Sequence, residues 1–131
     1  MNLVDSSGWL EYLADGPGAD FFAPAIEKLE SLVVPTISIL EVGKVVHRQR
    51  GEAAALEAMA LLEQAVVVPL DAELARSAVA LAMAHRLPLA DSIVLATARA
   101  HDAELWTQDA DFKDLPGVHY QEKVKPAAPV A

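Results

Sequence analysis

Five acidic side chains in this sequence stand beside apolar segments, where a bare carboxylate is costly to bury. Asp5 closes the apolar opening NLVD, Glu41 interrupts ISILEVGKVV, and Asp91 heads DSIVLATARA. Asp109 and Asp111 follow ELWT in the string TQDADF. Carboxylates that converge in a partly dry site repel one another and resist ionisation. A hard divalent cation relieves that repulsion, and carboxylate oxygens and water are its preferred ligands. The chemistry expected of such a set is that of a Mg2+ or Mn2+ site acting on phosphate.

Taken singly, each acid has an ordinary role open to it. Asp5 precedes Ser6 and Ser7 and reads as a helix N-cap. Asp91 has the same alternative, yet on a helix it shares a stripe with Leu95 and Ala98. Glu41 is the sharpest case, because Ile37, Glu41 and Val45 are spaced four apart and share one helix face. A glutamate in an apolar stripe needs a partner. The alternatives are the stripe's edge or a pair with Lys44, three residues on. Asp109 and Asp111 read alone as a solvated turn. They do not form an EF-hand loop, since the required Gly and the twelfth-position Glu are missing. Thr107 places a hydroxyl just before them, suited to hold a metal-bound water.

The elements that must position these acids alternate in kind. Strands are expected over 1–5, 32–35, 66–70, 104–107 and 117–121. Helices are expected over 7–15, 21–30, 37–50, 52–64, 71–85 and 89–101, with Gly16-Pro17-Gly18 as a breaker. Strands separated by helices imply a three-layer α/β/α domain around a parallel sheet of four to five strands. Ligands gather at the carboxyl ends of strands in such sheets. Asp5 and Asp109 fall there, and the helices carrying Glu41 and Asp91 could reach the same edge.

The chain's 131 residues suit one domain. It is expected to span 1–121, followed by a disordered Pro- and Ala-rich tail over 122–131. There is no cysteine, which excludes disulfides and thiolate metal sites. The opening has no basic n-region, and no apolar run reaches the roughly 18 residues a membrane helix needs. The expectation is a cytoplasmic protein with no membrane partner. A net charge of -9 argues against a general nucleic-acid binder, although bound cations would offset several of the acids.

The strings NLVDSSGWLEYL, ISILEVGKVV, LPLADSIVLATARAHDAELWTQDADF and LPGVHY, in that order, closely resemble the PIN-domain ribonucleases. Among these they are most similar to the VapC-type toxins of toxin–antitoxin pairs. The resemblance runs to about Tyr120. It implies a Mg2+- or Mn2+-dependent endoribonuclease whose four acids correspond to Asp5, Glu41, Asp91 and Asp109. Asp5, Asp91 and Asp109 are then the expected metal ligands. Glu41 is either a ligand or an orienter of the attacking water. Asp111 stands where family members differ. Ser7 and Thr107 match small hydroxyl positions near the site, and Lys44 and Arg48 are candidates for holding the RNA backbone. A cognate VapB-type antitoxin and a homodimer are also implied. The apolar helix over 52–64 is a candidate dimer surface. Two other readings stay open: a catalytically silent interaction module on the same fold, and an RNA-processing nuclease without a toxin role.

Overall fold

In the computed structural model, which describes residues 1–125, the strands are β1 (Asn2–Val4), β2 (Leu32–Pro35), β3 (Val66–Val68), β4 (Glu104–Thr107) and β5 (Val118–Tyr120). They form one sheet in the order β3-β2-β1-β4-β5, and every neighbouring pair is parallel. The helices are α1 (Ser6–Leu13), α2 (Ala19–Ile26), α3 (Thr36–Arg50), α4 (Glu52–Leu62), α5 (Ala72–His85) and α6 (Leu89–Ala100). Short 3-10 turns occupy Leu29–Ser31 and Ala110–Phe112.

Successive strand residues point to opposite faces of a sheet. Val4 and Val34 therefore pack with Trp9, Phe22, Val42 and Leu62 on the side of α1 to α4. Leu3, Val33 and Leu105 pack with Val94, Leu95 and Ala98 of α6 on the other side. α5 closes that layer through Leu74 and Ala78 against Ile93 and Ala96. Burial on both faces explains why the central strands read as continuous apolar runs. The expected three-layer α/β/α architecture is the one observed.

The boundaries differ where local chemistry overrides periodicity. The helix expected over 21–30 is α2 followed by a 3-10 turn, a break that lets Leu32 turn into register opposite Asn2. The strand expected over 66–70 ends at Val68, before Pro69, which has no N–H for the ladder. The helix expected over 7–15 ends at Leu13, and Asp15 takes a left-handed conformation at φ 49°. Residues 122–125 carry no regular structure, and the rest of the expected tail, 126–131, lies outside the described residues. Among the described residues no single helix is long and apolar enough to cross a membrane.

From β1 the sheet grows in both directions, to β2 on one side and β4 on the other. The carboxyl ends of β1 and β4 therefore flank the switch point, where open parallel sheets form their ligand crevice. Asp5 directly follows β1, and Asp109 lies two residues beyond β4.

Candidate metal centre

Asp5 caps α1 and is built into its surroundings from three sides. Its Oδ1 accepts from the Gly8 N–H at 3.0 Å and the Ser7 hydroxyl at 2.7 Å. Its Oδ2 accepts from the Thr107 hydroxyl at 2.5 Å. The cap reading of Asp5 is borne out, and its second oxygen links the cap to the end of β4. Burial pushes its pKa above the ordinary carboxylate value, the hydrogen bonds from Thr107, Ser7 and Gly8 pull it down, and the charge of Asp109 pushes it up again. Gly8 is what lets α1 sit this low. A Cβ there would lie 2.6 Å from both Phe22 Cε1 and Val4 Cγ1.

Thr107, fully buried at the end of β4, joins two of the acids. It gives its proton to Asp5 and accepts the Asp109 N–H at 2.8 Å. Asp109 in turn caps the next turn by accepting the Asp111 N–H at 2.9 Å. The sequence suggested that this hydroxyl holds a metal-bound water. In the structure it donates to Asp5 and accepts from the Asp109 backbone, which ties the two acids together across the end of β4.

Asp91 is not a cap, since Pro88 occupies that position and Asp91 lies within the first turn of α6. From there it meets Asp109 and Asp111, and each of the three offers a carboxylate oxygen within 4.8 Å of the others. Its pKa is pushed up to about 8, first by burial, then by the charge of Asp109, by hydrogen bonds with Asp111 and Asp109, and by the charge of Asp111. Glu41 is half-buried, and its Oε1 accepts from the Ser6 hydroxyl at 3.1 Å. It does not pair with Lys44, and Lys44 and Arg48 are exposed on α3.

The structure therefore gathers Asp91, Asp109 and Asp111 tightly. Asp5 adjoins them through Thr107, and Glu41 adjoins Asp5 through Ser6. Among the described residues none of these five carboxylates forms an ion pair, the one such pair being His119–Glu104 at 3.2 Å. An all-oxygen donor set with uncompensated charge fits a hard divalent cation.

Three neighbours of the site were not singled out from the sequence: Ser6, Glu11 and Gln108. Glu11 is buried on α1, and Gln108 sits between Thr107 and Asp109. Beside the acids runs a groove of about 800 Å³ that includes Ser7 and Asp109 and is walled by Leu10, Leu13, Val45, Val46, Ala54 and Leu61.

The family model of the PIN domain matches residues 3–118. The fold is similar to a toxin–antitoxin complex from Klebsiella pneumoniae, at a TM-score of 0.77 and 25% identity over 91% of this chain and 96% of that one. It is also similar to VapC20 of Mycobacterium tuberculosis, a sarcin–ricin loop cleaving toxin, at a TM-score of 0.73 and 19% identity over 88% and 95% of the two chains. VapBC2 from Rickettsia felis, bound to a DNA fragment from its promoter, aligns at a TM-score of 0.69 and 12% identity over 92% and 97%. No curated protein sequence matches the chain.

Proposed function

The chain belongs to the PIN domain family, and from that premise we propose that it is a metal-dependent endoribonuclease acting as the toxin of a toxin–antitoxin pair. One observation carries the reading: the uncompensated group Asp91, Asp109 and Asp111, beside the buried Asp5 at the switch point of the sheet. A Mg2+ or Mn2+ ion held there supplies a bound water of lowered pKa and positive charge for the phosphate oxygens.

The chain's own residues divide the remaining work. Asp91, Asp109 and Asp111 hold the ion, with Asp5 as a further ligand kept in place by Ser7, Gly8 and Thr107. Glu41, steadied by Ser6, is a ligand or orients the attacking water. Arg48 lies on nearly the same face of α3 as Glu41, and Lys44 lies one turn from it. Both are exposed and available to pair with RNA phosphates.

The similarity to toxin–antitoxin structures supports a VapB-type antitoxin as partner. The groove beside the acids, with apolar walls and Glu11, Arg50, Glu57 and Lys123 also in its lining, suits an antitoxin segment, which would bring an Arg or Lys to the carboxylates, where a guanidinium can bridge two oxygens. A homodimer is part of the same proposal. α4 turns Ala55, Ala58 and Leu62 into the core, leaving Leu56 as its exposed large apolar residue. Leu40, Val79, Met83 and Leu89 stand exposed elsewhere and offer a second copy more surface. The cytoplasm, where RNA and antitoxin meet, is the location this reading implies.

The test is cleavage of single-stranded and sarcin–ricin-type RNAs by the purified chain with Mg2+ or Mn2+, with and without EDTA. Cleavage that stops with EDTA is expected. Cleavage unchanged in excess chelator contradicts the metal role, and no cleavage under any condition leaves the silent interaction module. Growth arrest on expression, relieved by the co-expressed antitoxin, separates the toxin from an RNA-processing enzyme.

A further inference from the structure

We propose that the pair formed by buried Glu11 and half-buried Gln108 is a positioning device that sets the metal affinity of the site by tying the 107–109 segment to α1. The proposal rests on the metal-site reading above and goes beyond it to residues outside the five acids.

Glu11 is 8% exposed, and among the described residues no cation pairs with it. Its Oε1 accepts from the Gly18 N–H at 3.0 Å, and its Oε2 accepts from the Gln108 side-chain amide at 3.4 Å. The loop after α1 is shaped around this carboxylate. A Cβ at Gly16 would collide with Glu11 Oε1, and one at Gly18 would lie 3.3 Å from Glu11 Cγ. Burying an acid in this way is costly unless its oxygens are satisfied by donors. Both partners here are N–H donors, as a carboxylate requires.

Gln108 is held to α1 at three points. Its amide Nε2 bonds Glu11 and also donates to the Ser7 carbonyl at 3.3 Å. Its backbone N–H donates to the Ser7 hydroxyl at 3.3 Å, and that hydroxyl donates to Asp5. The two residues flanking Gln108 are Thr107, bonded to Asp5, and Asp109, one of the gathered carboxylates. A shift of Gln108 therefore moves Asp109 relative to Asp91, which sits on a separate helix. Partners behind metal ligands typically change affinity by about 10- to 100-fold when removed.

The test is Mn2+ binding to the RNA-free full chain by isothermal titration calorimetry, alongside cleavage at saturating Mn2+. Glu11→Gln keeps the size but turns an amide toward the Gln108 amide, and Gln108→Ala removes the tie. Each should raise the Kd for Mn2+ about 10-fold, with kcat at saturating Mn2+ within about twofold of the unchanged chain. Leu62→Ala, a cavity in the core of α4, should lower Tm while leaving the Kd unchanged, which separates positioning from loss of stability. If Glu11→Gln does not fold, Gln108→Ala carries the test alone. An unchanged Kd in the folded variants overturns the proposal. If Asp91→Asn and Asp109→Asn still abolish Mn2+ binding in that case, the metal reading stands without it. Failure of the unchanged chain to bind Mn2+ overturns both.

Discussion

Replacing Asp91 with Asn should make the metal-free protein more stable, and the gain should depend on pH in a defined window. Asp91 titrates at about 8 in the fold against an ordinary value of 3.8. The fold therefore favours the protonated form. Stability from that proton is fully present below 3.8 and is lost as pH rises toward about 8. At about 1.4 kcal/mol per pH unit, the whole span sets an upper bound near ~6 kcal/mol. Asp91 is half open to water, and screening removes much of that. About 2 kcal/mol is the reasoned expectation. Asn resembles the protonated carboxyl in shape but cannot ionise, so it escapes the loss. In EDTA, Asp91→Asn should lie close to the unchanged protein at pH 4 and gain steadily up to pH 8. The expected rise in Tm at pH 8.5 is about 6–8 °C for a domain of this size. Added Mn2+ should reverse the order, because the ionised site binds the cation and each hundredfold excess over Kd adds about 2.7 kcal/mol. Thermal unfolding by circular dichroism at pH 5 and 8.5, with and without Mn2+, reads all four conditions. A variant no more stable than the unchanged chain at pH 8.5 in EDTA, with the same difference at pH 5, would refute the reasoning.

Other perturbations should separate the neighbouring roles. Thr107→Val leaves Asp5 Oδ2 and the Asp109 N–H without their buried partner. It should cost about 2–4 kcal/mol in urea unfolding, and a loss below about 1 kcal/mol would count against the Thr107 link. Gly8→Ala forces a Cβ against Phe22 and Val4. A loss of about 1–3 kcal/mol is expected from overpacking, with a lowered midpoint at an unchanged m-value. Asp5→Asn removes a buried charge but sets an amide against the Thr107 hydroxyl. Its metal-free stability should change far less than that of Asp91→Asn, while cleavage is lost. Light scattering at micromolar concentration should give the mass of a dimer, and a monomer would remove that part of the proposal.

Much of the fold was legible because its rules are local. β-branched runs, helix-period stripes and the breaker at residues 16–18 delimit most elements to within a few residues. Boundaries failed where a single residue decided them, as at Pro69. For the site, a strand end and a following Ser-Ser pair pointed to Asp5 as a cap, which the structure bears out, and placed it at the edge where the other acids gather. For Asp91 the cap alternative fails because the helix begins at Leu89, as its pattern indicated, and the carboxylate lies near those of Asp109 and Asp111. Asp111 was ambiguous because members of the resembled family differ there, and in the structure a 3-10 turn capped by Asp109 brings it beside Asp91. Glu11 was invisible for a different reason. It sits among Trp9, Leu10 and Leu13 in a short helix, and its partners come from a loop that folds back and from a segment 97 residues away. A long-range pairing of that kind leaves no periodic trace.

The central claim is that Asp91, Asp109 and Asp111, with Asp5 behind them, hold a divalent cation. Crystals of the full chain grown with Mn2+ and measured near the manganese absorption edge test it most directly. The account expects an anomalous difference peak within coordination distance of oxygens from Asp91 and Asp109, which is absent in crystals of Asp91→Asn. A map with no peak between these carboxylates at saturating Mn2+, or a peak that persists unchanged in the variant, would contradict it.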